Sequence, residues 1–489
     1  MTKGNESPTP KSEQPGIGRS TLINLSGLLV PTVVALITVP LYLKQIGEIR
    51  YGVLLLAFTF LGYFGAFDLG LGRAVAQRVA RQDSVEERNH TFWTAFIISS
   101  IMGLVGAIAL YFLGQWLFAE VFNIPSNLRH EMVSAIPWLA AIVPITAIIS
   151  VLAGALEGRQ AFTALNISQI IGLIGLQILP LSAALLGYKS MSFLLGTALI
   201  GRFIGVVIMV FSVKKILPLK KYPHIYKAEL TPLLSFGKWV TLSGLVTPLL
   251  TIIDRVFIGA MISTSAVTAY VVPYNITQRF HYLPSALSTT IFPIFSTNKN
   301  SKENLIKDLT NTIIAIQTPI IVLSIALSKY FLMLWLEKNV PTNSTPVMII
   351  LLISIWINGP AYISSTFIIA NGKADLLAKF FLVELIPFII ILWQMILKYG
   401  IIGAALATLY EKTLATSYYF IITKSFLSYI KPMLITSPAI IAICITSTTS
   451  IFKTNESIID ILIVIFSIIT SYAITPNSIK HKIKNFRQI

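Results

Sequence analysis

The chain has 489 residues, of which 55% are hydrophobic and 12% are charged, and its mean hydropathy is +0.78. Soluble globular proteins carry about 25% charged residues, so this deficit excludes an ordinary soluble enzyme and indicates a polytopic membrane protein. The formal net charge is +17. The one cysteine, Cys444, lies in an apolar run, which excludes an intramolecular disulfide and a metal cluster built from cysteines.

Fourteen windows of about 20 apolar residues are long enough to cross a bilayer as helices. In chain order they lie at 22–43, 51–71, 91–118, 132–156, 162–187, 191–213, 234–262, 271–296, 310–328, 345–369, 380–397, 401–423, 432–452 and 457–475. We therefore predict an all-α polytopic membrane protein with about fourteen transmembrane helices. The polar residues before the first window are predicted to form a disordered cytoplasmic tail, and no cleavable signal sequence is expected there.

Lysine and arginine residues are distributed unevenly between alternate connections of these helices. With the N-terminus placed inside, the inner segments hold 24 of the 37, the outer segments hold eight, and five lie within predicted spans. This asymmetry follows the positive-inside rule and predicts that both termini are cytoplasmic. The basic excess is therefore expected to face the anionic inner leaflet, and nucleic acid is not an expected partner.

Basic residues follow the second window, in the segment FDLGLGRAVAQRVA that contains Asp68. We interpret Arg73, Arg78 and Arg81 as one loose side of an interfacial helix that meets anionic headgroups. A basic mouth for an anionic lipid headgroup is the alternative. Arg202 lies in the middle of the sixth window, where a lone arginine is not expected to face lipid, and we favour a lumen over helix packing as its environment.

The two halves of the chain share a short motif. Leu-Ser-Gly-Leu followed by proline occurs at 25–31 and recurs at 242–248, at a constant offset of 217. Duplicated six-helix units are common in transporters, which place the substrate site between the repeats, so we predict two halves around a central lumen. The predicted divisions are a cytoplasmic tail at 1–18, six-helix halves at 19–213 and 234–423, a cytoplasmic connection at 214–233, and a terminal helix pair with a basic cytoplasmic tail at 424–489.

The stretch 236–280, which covers most of the seventh window and the start of the eighth, carries four charged residues within an otherwise apolar sequence. They are Lys238, Asp254, Arg255 and Arg279. A charge at the bilayer centre costs about 2.5–3.5 kcal/mol on insertion scales, so these side chains are expected to face a bundle interior or a wet cavity. Glu384 and the adjacent pair Glu411 and Lys412 are further candidates. Neighbouring residues on a helix point about 100° apart, so the last two need not pair with each other.

Polar residues around these charges recur with helical spacing. The first set is Ser243, Thr247, Thr251 and Asp254. The second set is Asn275, Gln278, Tyr282, Ser285 and Thr289. Because each set has a period near 3.6 residues, each predicts one polar stripe along a helix, and two such faces predict a lumen for a polar substrate.

Motifs for catalysis are missing from the sequence. There is no Walker A loop, no dinucleotide fingerprint and no His-Glu-x-x-His motif, and the five histidines are scattered. We therefore expect a transporter rather than an enzyme, with no cofactor and no metal site. An ion gradient, the membrane potential or downstream consumption of the product is expected to drive it.

Two segments carry a resemblance to a known family. FDLGLGRAVAQRVA after the second window and FGKWVTLSGLVTPLLTIIDRVFIG at the seventh, within the predicted two-half arrangement, resemble the Wzx-type polysaccharide flippases. That family belongs to the superfamily that also contains the multidrug exporters and the lipid II flippases. The specific part of the resemblance covers about 67–80 and 236–274.

The resemblance implies a function and a set of site residues. It implies movement of an undecaprenyl-diphosphate-linked oligosaccharide, such as an O-antigen repeat unit, from the inner to the outer leaflet of the bacterial plasma membrane by alternating access. Other polysaccharide assembly proteins are possible partners. The predicted substrate-binding residues are Arg255, Arg279, Arg202, Lys238, Arg73, Asn275, Gln278 and Tyr282. From charge and depth, rather than from the resemblance, the predicted coupling or gating residues are Asp254, Asp68, Glu384 and Glu411, and whether H⁺ or Na⁺ is the coupling ion is left open.

Three alternatives differ in features that the sequence can test. A cation-coupled multidrug exporter often uses a buried acid in its first span, and Leu22–Leu43 contains none. A lipid II flippase would be expected to have arginines within its first two spans, whereas here they follow Leu71. A membrane polymerase or glycosyltransferase should carry a long, polar outer loop, which the predicted short outer connections do not supply.

The predicted topology can be measured directly. Reporter fusions after Leu217 and after Lys480 should both report a cytoplasmic location, because the positive-inside rule places both segments inside. An extracytoplasmic signal at either position would contradict the fourteen-span arrangement.

Overall fold

The computed structural model of the chain describes residues 17–64, 70–217, 223–230, 249–297, 302–448 and 456–476, and over these residues its regular elements are helices without strands. The helices are α1 (Ile17–Phe64), α2 (Leu71–Arg81), α3 (Val85–Trp116), α4 (Ser126–Gly158), α5 (Phe162–Leu185), α6 (Met191–Ile216), α7 (residues 249–261), α8 (Thr264–Thr277), α9 (Tyr282–Thr297), α10 (Lys302–Leu336), α11 (Ser344–Asn358), α12 (Ala361–Ala370), α13 (Ala374–Ile422), α14 (Phe426–Thr448) and α15 (Glu456–Ile474). A π-helical turn, Leu117–Val121, extends α3. The predicted all-α class is confirmed.

Among the described residues, eight helices are long and apolar enough to cross a membrane. The pair α11 and α12, bent by 42° at its break, forms a ninth if it is counted as one span. The chain is therefore a multi-pass membrane protein. The number fourteen stays a prediction, because α1 and α13 each join two predicted spans into one helical element.

Single glycines make those two joints. Gly47 in α1 has φ 75° and ψ 168°, and Gly400 in α13 has φ 60° and ψ −137°. L-amino acids rarely adopt either conformation, so the backbone itself requires glycine at both positions. After Gly400 the chain turns back on itself, since a Cβ on Gly403 would collide with the carbonyl group of Met395. One residue thus replaces a loop between two predicted spans.

The chain divides into two compact units. Unit 1 comprises Met1–Gln45, Leu61–Trp116 and His130–Gly244, and unit 2 comprises Ile46–Phe60, Leu117–Arg129 and Leu245–Ile489. Unit 2 therefore takes two short segments from the first third of the chain. The domain boundaries predicted from the sequence stay a prediction.

In unit 1, α5 and α6 pack through facing glycines. Gly175 faces Gly201, and Gly172 faces Gly205. A Cβ added to Gly201 would lie against the backbone of Gly175, closer than real side-chain contacts come. Small residues at a helix interface allow such close backbone approach in membranes, where packing rather than the hydrophobic effect holds helices together.

The connection that follows α6 is anchored on unit 1. Glu229 is 9% exposed and pairs with Arg78 of α2 at 2.7 Å, and it accepts a hydrogen bond of 2.7 Å from the Thr91 hydroxyl of α3. The ring of Tyr226 stacks on His90 with 3.6 Å between centroids. Arg78 is therefore held by a protein carboxylate, which departs from the predicted role of this arginine in meeting lipid headgroups.

In unit 2, the start of α8 packs on the part of α1 that follows Gly47. The Thr268 hydroxyl donates a 2.8 Å hydrogen bond to the carbonyl oxygen of Glu48, just after the Gly47 joint. Gly52 lies against the carbonyl group of Thr264, where any side chain would collide. These contacts fix the position of α8, which carries part of the site described below.

The eighth predicted span is not one continuous α-helix. α8 ends at Thr277, Gln278–His281 forms a 3₁₀ turn, and α9 begins at Tyr282. A 3₁₀ helix winds 120° per residue instead of 100°, so four residues rotate α9 by about 80° relative to a straight continuation. Pro284 supplies a physical reason, because it cannot donate a hydrogen bond to the preceding turn. The single stripe predicted from Asn275 to Thr289 is interrupted there.

The close approach of α5 and α6 gives a stability prediction. Gly201→Ala should lower the free energy of unfolding by about 1–3 kcal/mol, because the new methyl group meets backbone that cannot move aside cheaply. Gly196→Ala, on the same helix, is the matched control, since its Cβ would lie at an ordinary 3.8 Å from the Trp138 ring. Thermal unfolding of the two purified variants in detergent measures the difference. Equal melting temperatures would contradict the packing argument.

Candidate functional site

Unit 2 brings together Asp254 and Arg255 of α7, Tyr270 and Tyr274 of α8, and Thr408 of α13. We call these five residues the buried polar cluster. At its centre is Asp254 of α7, which is 3% exposed. Its carboxylate accepts a 2.7 Å hydrogen bond from the Tyr270 hydroxyl and another of 2.7 Å from the backbone N–H of Arg255. The Tyr270 hydroxyl also lies 3.1 Å from the Thr408 hydroxyl of α13. A buried acid is thus held by a hydroxyl group from α8 and an amide group from α7, and Thr408 of α13 contacts that hydroxyl.

Arg255 presents its charge on an aromatic surface. Its guanidinium carbon lies 4.4 Å from the centroid of the Tyr274 ring, and Tyr274 in turn stacks on Tyr270 at 5.9 Å. The Nε atom of Arg255 is buried and has no hydrogen-bond partner among the described residues. No described carboxylate lies within ion-pair distance of this guanidinium. Its hydrogen-bond donors are therefore available to an anionic ligand.

Arg279 is presented in the same way from the 3₁₀ turn after α8. Its guanidinium donates a hydrogen bond to the Tyr282 hydroxyl and lies 5.7 Å from the centroid of that ring. In the part of the chain that the structure describes, it too forms no ion pair. Cation–π contact holds an arginine in place without neutralising it, so both arginines keep their full charge for a ligand.

Lys412 supplies the third cation, and it is paired. Its Nζ atom lies 2.8 Å from a carboxylate oxygen of Glu411, and the side chains of the two residues are 29% and 7% exposed. The sequence left open whether these neighbours pair, and the structure shows that they do. The charge of Lys412 also acts on Asp254, Tyr274 and His281, which places it close to the buried polar cluster.

Glu384 lies in the part of α13 before Gly400, and among the described acidic residues it is the one whose buried carboxylate has the fewest hydrogen-bond partners. It is 3% exposed, and both of its carboxylate oxygens are buried without a hydrogen-bond partner among the described residues. Glu411 and Lys412 lie close enough to act on it electrostatically. An ionised carboxylate that is buried without hydrogen bonds is costly, so this group favours binding a proton or a small cation.

Two other predicted residues belong to unit 1. Arg202 of α6 lies half-buried beside the α5–α6 glycine contact, and its Nε atom has no described hydrogen-bond partner. Arg73 is exposed on α2. Asp68 and Lys238, together with the Ser243 and Thr247 positions of the first stripe, lie outside the described residues.

The remaining predicted residues lie around the interrupted helix. Asn275 is exposed on α8, and Gln278 and Tyr282 are half-buried at the two ends of the 3₁₀ turn. The structure therefore brings Asp254 and Arg255 into one cluster with the Glu411–Lys412 pair nearby, and it places Arg279 with Tyr282. No three His, Cys, Asp or Glu side chains of the described residues converge as a metal site.

Comparison with known proteins decides the family. The model of the family described as "Polysaccharide biosynthesis protein" matches residues 17–299, more than half of the chain. The chain belongs to this polysaccharide biosynthesis family. The resemblance to Wzx-type polysaccharide flippases is thereby confirmed. A Shigella flexneri protein named "Putative O-antigen transporter" is 26% identical over 394 residues, which cover 80% of this chain and 93% of that protein.

Solved structures show the fold of this family member. The lipid II flippase MurJ in an inward closed conformation has a TM-score of 0.74 at 17% identity, covering 95% of this chain and 100% of MurJ. An inward-facing multidrug resistance transporter of the MATE family, in the MOP superfamily, has a TM-score of 0.69 at 13% identity, covering 84% of this chain and 99% of that one. The family member therefore has the all-helical fold of these transporters.

Sequence reasoning missed the hydroxyl groups of the buried polar cluster. Tyr270, Tyr274 and Thr408 are compatible with an apolar span, so nothing in their local sequence separates them from packing residues. One signal was available: a buried tyrosine hydroxyl needs a hydrogen-bond partner, and Tyr270 and Tyr274 are one helical turn apart in the span that follows Asp254.

The hydrogen bond between Tyr270 and Asp254 gives a second stability prediction. Tyr270→Phe should lower the free energy of unfolding of this polysaccharide biosynthesis protein by about 1–3 kcal/mol, because it leaves a buried carboxylate without one of its donors. Tyr274→Phe is the control, since it keeps the ring beneath Arg255 and removes only a hydroxyl with no described hydrogen bond. Chemical or thermal unfolding in detergent measures both. A larger loss in Tyr274→Phe than in Tyr270→Phe would contradict the assignment.

Proposed function

We propose that this protein is a flippase that moves an undecaprenyl-diphosphate-linked oligosaccharide from the inner to the outer leaflet of the bacterial plasma membrane. Membership of the polysaccharide biosynthesis family supports the substrate class, and the name of the Shigella flexneri relative supports an O-antigen type of repeat unit. The fold shared with a lipid II flippase supports transport of a large lipid-linked sugar.

The observation that carries this proposal is the presentation of Arg255 and Arg279. Both guanidinium groups lie on tyrosine rings, and neither lies within ion-pair distance of a described carboxylate. A diphosphate offers several oxygen atoms, which guanidinium groups bind as paired, charge-assisted hydrogen bonds. The nearby tyrosine hydroxyls and the Asn275 and Gln278 amides suit the sugar hydroxyl groups.

The proposed mechanism is alternating access. The diphosphate and sugars enter a wet cavity between two six-helix halves while the prenyl tail stays in lipid, so that only the polar part of the substrate needs shelter. Arg202, Lys238 and Arg73 would contribute further positive charge along the route. No bond is made or broken in this step, so the protein acts as a transporter without a cofactor.

Coupling to an ion is assigned to the buried acids. Glu384 is the strongest candidate, because its unpartnered carboxylate would be stabilised by H⁺ or Na⁺. Asp254 and Glu411 are already held by Tyr270 and Lys412, so they suit gating, as does Asp68. Under this proposal both termini lie in the cytoplasm, as the positive-inside rule predicts, and other polysaccharide assembly proteins of the inner membrane would use the exported product.

The leaflet that holds the substrate tests the proposed function. In cells that lack this protein, lipid-linked repeat units should accumulate in the inner leaflet, protected from an impermeant glycan-cleaving enzyme added outside. Re-expression should expose them. Repeat units that reach the outer leaflet normally without the protein would contradict a flippase. A loss of drug tolerance with normal polysaccharide would instead support a cation-coupled multidrug exporter, the function that Glu384 also suits.

Substitution of the two arginines tests the site. Arg255→Ala and Arg279→Ala should each reduce export at least tenfold, because each removes a charge-assisted contact to phosphate, worth about 1.5–3 kcal/mol. The lysine variants should recover part of the activity, since lysine keeps the charge but loses the planar fork. Polysaccharide at the cell surface, normalised to protein in the membrane, is the measurement.

Lys379→Ala is the matched control for these variants. Lys379 is an exposed cation on α13 that pairs with Asp375 at 2.9 Å and is not part of the buried polar cluster, so export should stay near normal. Undiminished export in both arginine variants would remove the site assignment. Loss of the arginine variants from the membrane would show that these side chains serve packing instead.

A further inference from the structure

A cavity outside the buried polar cluster lies where three helices of unit 2 meet. α10 packs against both α14 and α15, and these two pack against each other. The cavity between them has a volume of about 370 Å³. Its lining includes Lys307 and Asn311 from the first turns of α10, Ser428 and Lys431 from the first turns of α14, and Ile474 at the end of α15.

The depth of this cavity follows from the helix directions. α10 and α14 begin beside it, and α15 ends beside it. The positive-inside rule places these three helix ends at the cytoplasmic face. The cavity therefore opens at the level of the inner-leaflet headgroups.

Its polar wall carries charge that the protein does not neutralise. Lys307 and Lys431 are exposed, and among the described residues neither forms an ion pair or a hydrogen bond through its side chain. The Asn311 amide and the Ser428 hydroxyl line the same wall. Two ammonium groups flanked by an amide and a hydroxyl are complementary to a phosphate group.

Its other wall is apolar and open to lipid. Leu427 is 68% exposed and Ile435 is 49% exposed, and they stand two helical turns apart along α14. A ligand whose phosphate lies between the lysines would therefore extend a hydrocarbon chain along this wall. A free inorganic phosphate would leave the wall uncovered, so the two walls together select an amphiphile.

We infer that this cavity binds an anionic phospholipid of the inner leaflet, with its phosphate between Lys307 and Lys431 and an acyl chain against Leu427 and Ile435. Lysine suits this ligand because its flexible stem lets a point charge follow a mobile headgroup at the interface. The site is separate from the proposed substrate site, since it shares no residue with the buried polar cluster. A lipid bound there would add to the direct packing of the terminal helix pair on α10.

Native mass spectrometry of the full-length purified protein tests the inference, with phosphatidylglycerol as the anionic probe and phosphatidylethanolamine as the zwitterionic one. Wild-type protein should retain phosphatidylglycerol in preference to phosphatidylethanolamine. Lys307→Gln with Lys431→Gln should weaken phosphatidylglycerol binding by about 25-fold, or about fivefold for each lysine near a charged interface, and weaken phosphatidylethanolamine binding less, because the ammonium group of that lipid already offsets the charge of its phosphate. Lys431→Glu alone should weaken it further than Lys431→Gln.

The matched control is Lys214→Gln with Lys215→Gln, which removes the same charge from exposed lysines at the end of α6 in unit 1. This control should keep wild-type binding. Equal losses in both double variants would mean that net charge, rather than the cavity, attracts the lipid. Wild-type binding in Lys307→Gln with Lys431→Gln would also overturn the inference.

A competition experiment distinguishes a phospholipid site from a site for the lipid-linked substrate. Undecaprenyl phosphate at equal concentration should displace little phosphatidylglycerol from the wild-type protein. If it displaces most of the phosphatidylglycerol, and if Lys307→Gln with Lys431→Gln abolishes its own binding, the cavity is a prenyl-phosphate site and the phospholipid assignment is wrong. Arg255 and Arg279 remain intact in every variant here, so failure of this inference leaves the flippase proposal standing.

Discussion

A charged side chain in the apolar part of a membrane protein must find its partner within the protein, because lipid offers none. In unit 2 this constraint organises α7, α8 and α13. Asp254 is satisfied by Tyr270 and by the backbone of Arg255, and Glu411 is satisfied by Lys412. The guanidinium of Arg255 rests on Tyr274, which supports a positive charge without cancelling it. The guanidinium of Arg255 thus keeps hydrogen-bond donors that an anionic ligand can use.

The depth of the charges was predictable from the sequence, whereas their partners were not. Asp254, Arg255 and Arg279 stand out because each is costly in an apolar window, and this cost identifies them without any knowledge of packing. Tyr270 and Thr408 carry no such cost, so only the three-dimensional contact between α8 and α13 reveals them. Glu411 and Lys412 show a different limit: their helix positions diverge by about 100°, but long side chains bridge that angle.

Periodicity was likewise informative about helices and less so about their breaks. Apolar windows coincide with helices throughout the described chain, because a backbone within lipid must satisfy its own hydrogen bonds. The breaks depend on single residues. Gly47 and Gly400 need only one unusual dihedral pair to join two spans, and a glycine in an apolar run looks the same whether it packs or turns. The 3₁₀ turn at Gln278–His281 is similar, since prolines on both sides are compatible with a kink or a register change.

The anchoring of Glu229 on Arg78 and Thr91 has a consequence for the tether between the two predicted halves. The predicted connection of 20 residues, 214–233, would span about 70 Å if it were free and fully extended. With Glu229 fixed on unit 1, only four residues separate the anchor from the predicted start of the seventh span at residue 234. The part of this connection from 223 to Glu229 is therefore held on α2 and α3 and is not free to extend.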